Sequence, residues 1–157
     1  KHWGSVGIQS GTLEFKDGHL TGGEITLDLA NLTCADLANN PLHDVLIAHL
    51  HNDDFLDLEK FPTAKLTILS AQASSQETPG APNLNLEAEL TIKGITHGLT
   101  FSAATGVTPE GKAAAQAAFA IDRTQWGINY GSGKLFHRLG GHLVNDLIEF
   151  QAKIVTA

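Results

Sequence analysis

Hydrophobic and polar residues alternate along much of the chain with a period of two, which sets successive side chains on opposite faces of a β-sheet. The pattern is cleanest between Asn83 and Lys93, where Leu84, Leu86, Ala88, Leu90 and Ile92 share one face and Asn85, Glu87, Glu89 and Thr91 the other. Near the C-terminus Ile148, Phe150, Ala152 and Ile154 alternate with Glu149, Gln151 and Lys153. Ala115, Ala117, Phe119 and Ile121 share a face of the segment Ala113–Ile121, and Ile25, Leu27 and Leu29 alternate with Thr26 and Asp28. Each segment reads as a strand with one buried and one wet face. The small residues on an inner face leave volume that a guest or a close-packed neighbour can fill.

Turn chemistry separates these runs. Lys16-Asp17-Gly18-His19 joins Ser5–Phe15 to Leu20–Leu29, because Asp-Gly supplies the positive φ angles of a tight hairpin. Gly94 and Thr108-Pro109-Glu110-Gly111 mark two later reversals, and Ser74–Pro82 reads as an exposed loop. Asn40-Pro41 has the form of a helix N-cap followed by proline at the first helical position. Leu42, Val45, Leu46, His49 and Leu50 then recur at helical spacing, which predicts a short amphipathic helix over the sheet. Lys134–Leu139 is a weaker candidate for a second helical turn among glycines. Strands at hairpin spacing with few helices predict an all-β, antiparallel meander. Closing it into a barrel of about eight strands removes the exposed edges, and a sandwich is the architectural alternative.

Length and composition narrow the classes further. With 157 residues the chain is expected to be a single domain, 1–157. Seventeen acidic residues against ten basic ones, with no dense Lys/Arg cluster, argue against a nucleic-acid partner. The lone cysteine, Cys34, has no companion at metal-site spacing and reads as a small buried hydrophobe. The chain opens at Lys1-His2-Trp3-Gly4 with neither an initiator Met nor a signal-peptide pattern, so upstream residues are expected to be missing from it.

Four stretches, in order and spanning most of the chain, carry a family resemblance: His49-Leu50-His51-Asn52-Asp53-Asp54-Phe55-Leu56-Asp57-Leu58-Glu59-Lys60-Phe61-Pro62, Leu90–Thr96, Phe119–Ile128 and Leu143–Phe150. The chain resembles the YceI-like family of lipocalin-like, polyisoprenoid-binding proteins. The resemblance implies an extended lipocalin-like barrel whose interior holds the apolar chain of an isoprenoid quinone, an isoprenoid phosphate or a similar amphiphilic lipid, with no catalytic cofactor. It also implies export to the periplasm or secretion. Similar proteins begin with another strand before the segment matching His2-Trp3-Gly4, so the first strand is expected to be absent here. Leu56 stands where a second aromatic is common in the family.

The candidate ligand-contacting residues are Phe15, Phe55, Phe61, Phe101, Phe119, Ile121, Arg123, Trp126 and Phe150. The aromatic rings suit either a cavity wall or a filled core. Asp122-Arg123-Thr124-Gln125-Trp126 suits either a lipid head group at a barrel mouth or a structural ion pair with indole packing. His49 and His51, with Asp53, Asp54 and Asp57, are residue types for zinc or acid–base work. Two residues apart on a helix, however, the two imidazoles point in different directions, so no metal and no catalytic residue is assigned to them. Gly131-Ser132-Gly133-Lys134 lacks the spacing of a phosphate loop. The expected function is non-enzymatic carriage of an amphiphilic lipid, with transient membrane contact to collect it and an open edge that favours a homodimer. The alternatives are a small barrel enzyme acting on a lipid through His49, His51 or Asp54, and a stress-related interaction domain without ligand.

Overall fold

The computed structural model describes residues 1–75, 78, 80–134 and 143–157. Within them lie seven strands: β1 (Gly4–Lys16), β2 (His19–Cys34), β3 (Thr63–Ala73), β4 (Leu84–Ile92), β5 (Ile95–Val107), β6 (Ala113–Asp122) and β7 (Leu147–Val155). A helix, α1 (His43–His51), follows β2, and a 3-10 turn, Arg123–Trp126, follows β6. The strands form one sheet in sequence order, each antiparallel to its neighbours. Among the described residues this is a seven-stranded curled half-barrel, in keeping with the expected all-β antiparallel architecture of about eight strands. β1 and β7 are its edges, bridged at one end by an ion pair between Lys1 and Glu149.

The tight reversals are built as the sequence predicts. Asp17 and Gly18, and again Lys93 and Gly94, take positive φ, the twist that matches a two-residue hairpin to its strands. At Gly94 the Phe61 ring presses from outside, so a Cβ there would meet it at 3.2 Å as well as suffer the left-handed backbone. Leu86, Leu90, Ile92 and Ile121 are buried and Leu84, Phe119, Ile148 and Phe150 half-buried, whereas Glu87, Glu89, Glu149 and Gln151 are exposed. The predicted faces of β4, β6 and β7 are therefore the observed ones.

The helix departs from expectation. It begins after Leu42 rather than at Pro41, because Asn40 closes a turn of its own: its Oδ1 accepts from the Leu42 N–H at 2.9 Å and its carbonyl from His43 at 2.9 Å. Leu42 and Val45 face solvent at 61% and 64% exposure, and only Leu46, Ile47, His49, Leu50 and His51, with His43, are half-covered. The proposed helical turn at 134–139 lies outside the described residues, apart from Lys134.

The buried side chains form two clusters. The larger gathers Leu29, Phe55, Leu58, Ala64, Leu90, Ile92, Ile121, Trp126 and Ile128 at the end of the half-barrel where the Arg123–Trp126 turn packs. The smaller, Ile68, Leu86 and Ala103, lies toward the other end. No helix is long and apolar enough to cross a membrane, among the described residues.

Candidate functional site

Because the side-chain period is two and the registers are known, the inner face resolves into rows running across the strands. Ala73, Leu84, Ala103, Ala117 and Ala152 are successive cross-strand partners from β3 to β7. The next row runs Ala71, Leu86, Phe101, and then Phe119 and Phe150, which are partners on β6 and β7. The Phe101 and Phe119 rings stack with centroids 4.7 Å apart at 26°, and Phe119 and Phe150 stack at 5.2 Å and 20°. All three are half-buried. Phe101 packs on the smaller cluster and Phe119 and Phe150 on the larger. A platform of three aromatic rings is thus bordered by a row of mostly alanine, whose side chains stand lower on the inner face than the rings do.

β5 and β6 pair only between Ala103–Val107 and Ala113–Ala117. Beyond that, the Arg123–Trp126 turn ties to β4 and β5: the Trp126 indole N–H donates to the Leu90 carbonyl at 2.8 Å, and His97 Nε2 lies 2.9 Å from the Gln125 carbonyl. Trp126 also meets the His97 ring edge-on at 5.2 Å and is only 2% exposed. The turn starts because Asp122 accepts from the Thr124 N–H at 3.1 Å and hydroxyl at 2.6 Å, and Asp122 also receives the Lys134 ammonium. Lys134 and then Thr124 hold the Asp122 carboxyl down to about 2.

Arg123 is 1% exposed. Its Nε donates to the Asn145 carbonyl at 2.9 Å, one Nη to Ile128 at 2.6 Å, and the other to Val144 at 3.0 Å and to Asp146 Oδ1 at 3.3 Å. The guanidinium also lies 5.5 Å from the centroid of the Phe55 ring. Burial lowers its pKa, with Asp146 and Asp122 acting in the opposite direction. The fork is engaged by the protein's own carbonyls and fastens the segment entering β7 to the Arg123–Trp126 turn.

The other candidates are dispersed. Ile121, Phe55 and Trp126 sit in the larger core cluster. Phe61 is half-buried against Gly94, and Phe15 lies near the end of edge strand β1 at 51% exposure. His49 makes edge contacts with Phe55 at 5.3 Å and Tyr130 at 4.3 Å, while Asp54 is exposed. A surface depression of about 340 Å³ lies over Ser70, Gln72, Asn85, Glu87, Thr100 and Ser102 of the outer face, and Leu86 and Phe101 also line it. Most of its lining residues are polar, so it suits an apolar chain less well than the aromatic row does.

Cys34 is buried as expected, but it has companions that sequence spacing does not reveal. Its thiol donates to Asp36 Oδ1 at 3.2 Å, and His2 Nδ1 lies 2.8 Å from Asp36 Oδ2. Burial and Asp36 push the thiol's pKa up, while the Trp3 N–H and His2 hold the Asp36 carboxyl far below its ordinary range.

The model of the YceI-like domain matches residues 1–156. Among solved structures, Burkholderia cenocepacia BcnA superposes with a TM-score of 0.69 at 19% identity, covering 94% of this chain and 83% of that one. The Campylobacter jejuni YCEI protein superposes at 0.67 and 15% identity, covering 97% of this chain and 83% of that one. At these identities the likeness is one of fold. No curated protein matches the chain.

Proposed function

The chain belongs to the YceI-like family, and from that premise we propose that its concave face binds and carries a long-chain isoprenoid or similar amphiphilic lipid. The observation that carries this reading is the stacked, half-buried row Phe101–Phe119–Phe150 beside the low row of Ala103, Ala117 and Ala152. A tail laid along the rings would shed water at about 0.8 kcal/mol per buried methylene, so a few isoprene units outweigh the ordering cost without any covalent chemistry. A planar quinone head would find aromatic faces, and an isoprenoid phosphate would keep its charge outside the half-barrel. Loading from a bilayer calls for transient membrane contact, and residence in the periplasm or outside the cell would suit such a shuttle. Pairing of two copies through an open edge is a further part of this reading.

The experiment is native mass spectrometry of the delipidated protein, supplied in detergent with an isoprenoid quinone, an isoprenoid phosphate or a fatty acid of matched length. A one-to-one complex that survives detergent removal is the expected result. Failure of all three lipids to bind the folded protein would end the carrier reading.

A further inference from the structure

The register at the outer end of the sheet brings together three side chains that are far apart in sequence. Gly4 pairs with Cys34 and Ser5 with Thr33, and the pairing continues outward as the Ala35 N–H donates to the Trp3 carbonyl at 2.8 Å. One step further sets His2 opposite Asp36, and the period of two puts Asp36 on the same face as Cys34. The residue opposite Cys34 is glycine for a steric reason. A Cβ on Gly4 would lie 1.7 Å from the Thr33 carbonyl oxygen, so any side chain there would force the strands apart. The Trp3 N–H, donating to Asp36 Oδ1 at 2.9 Å, fixes the carboxylate from the backbone. As a result a His2 ring nitrogen, Cys34 Sγ and an Asp36 oxygen all lie within 4.8 Å of one another.

We propose that His2, Cys34 and Asp36 form a zinc-binding site. Imidazole, thiolate and carboxylate are the side-chain ligands zinc takes, and one thiolate with one carboxylate neutralises the dication. Bonds of about 2.0–2.3 Å to a tetrahedral ion separate its ligand atoms by roughly 3.3–3.8 Å, a spacing this cluster reaches through small side-chain rotations. His2 is the adjustable member, with its side chain 55% exposed, and the Asp36 side chain is 22% exposed, whereas Cys34 is buried at the floor. The ion would displace the thiol proton and replace the two contacts made to Asp36 with bonds to itself. Its fourth position faces solvent, where a water completes the set. The site is separate from the aromatic platform and does not depend on lipid binding.

The test uses the full chain without an affinity tag and with a free thiol, stripped by chelator and then titrated with Zn²⁺ by calorimetry and with Co²⁺ by absorption. One equivalent of each should bind, and the cobalt form should show a sulfur-to-metal charge-transfer band. Changes to supporting groups around metal ligands already cost about 10–100-fold in affinity, so Cys34→Ser, Asp36→Asn and His2→Gln should each weaken zinc by at least about tenfold. Cys34→Ser should also abolish the charge-transfer band. The wild-type spectrum is decisive even if a variant fails to fold. No saturable zinc binding, or saturable binding without the thiolate band, overturns the site. So does a Cys34→Ser protein of native circular dichroism that binds zinc as tightly as the wild type.

Discussion

The indole N–H of Trp126 donates to the carbonyl of Leu90 across 2.8 Å, and in doing so ties the turn after β6 to the middle of the sheet. Because Trp126 is 2% exposed, the bond is made out of water's reach. Trp126→Phe keeps most of the apolar volume but removes the donor, and is expected to cost about 1–3 kcal/mol. Trp126→Ala should cost about 3–5 kcal/mol, since it adds a cavity. Urea denaturation followed by circular dichroism measures both, and a Phe variant as stable as the wild type would show that the hydrogen bond contributes nothing net.

Arg123→Ala should destabilise by about 3 kcal/mol or more, because it strips the donors from the Asn145, Ile128 and Val144 carbonyls and leaves Asp146 without its buried cation. Arg123→Lys should rescue little of this, as a single ammonium cannot reproduce a fork spread over Asn145, Ile128 and Val144. Full stability in the lysine variant, measured by thermal unfolding, would refute the clamp.

The Asp122 carboxyl is held at about 2, below its ordinary value of 3.8. A carboxyl with a depressed folded-state pKa contributes its stability above the unfolded value and loses it as pH falls through the folded one. The wild type should therefore lose stability between about pH 4 and pH 2 more steeply than Asp122→Asn, which has no such proton to take up. Parallel curves of urea midpoint against pH in that window would count against the Lys134 and Thr124 contacts as the cause.

Phe119 is the middle ring of the stacked row. Phe119→Asp is expected to abolish lipid retention, since a carboxylate on a dry face costs far more than a lost contact. Phe15→Asp, at an exposed edge position, should leave retention close to wild type. Extraction and mass analysis of lipid from both, after circular dichroism confirms folding, checks the contrast. Equal retention by the two variants would move the binding surface elsewhere.

β4, β6 and β7 are legible in the sequence because unbroken alternation is visible without any knowledge of neighbours. β3 is not, because a register shift between Ile68 and Ser70 leaves Leu69 exposed at 53% and spoils the alternation. β5 is blurred by Gly98 and by Ala103-Ala104, which mark no face. The phenylalanines of the platform can be named from sequence as apolar candidates, but not assembled. The Lys93-Gly94 turn does fix Leu86 opposite Phe101, yet Phe150 joins the row across a long connection whose length sets no register.

The His2–Cys34–Asp36 cluster shows the same limit. Counting from Lys16 opposite His19, an uninterrupted ladder would put Gly4 opposite Asn31, and the register shifts along β1 and β2 carry it to Cys34 instead. Arg123 remained ambiguous for a different reason. Head-group contact and internal clamp use the same donors, and only the carbonyls of residues 128, 144 and 145 distinguish them.

Seven strands that each reverse the heading of the one before leave the first and last pointing the same way. A ribbon with like-directed borders cannot seal onto itself with antiparallel bonds, even where Lys1 and Glu149 reach across the gap. Parity decides what can fill it: one added strand must run counter to both β1 and β7, and with it the count becomes even and every junction antiparallel. The same parity sorts encounters between two molecules. Where two copies continue one sheet with their concave faces on the same side, matching borders related by a twofold axis normal to the sheet run antiparallel and close as a pair, whereas β1 of one copy against β7 of another runs parallel and leaves a border open for the next.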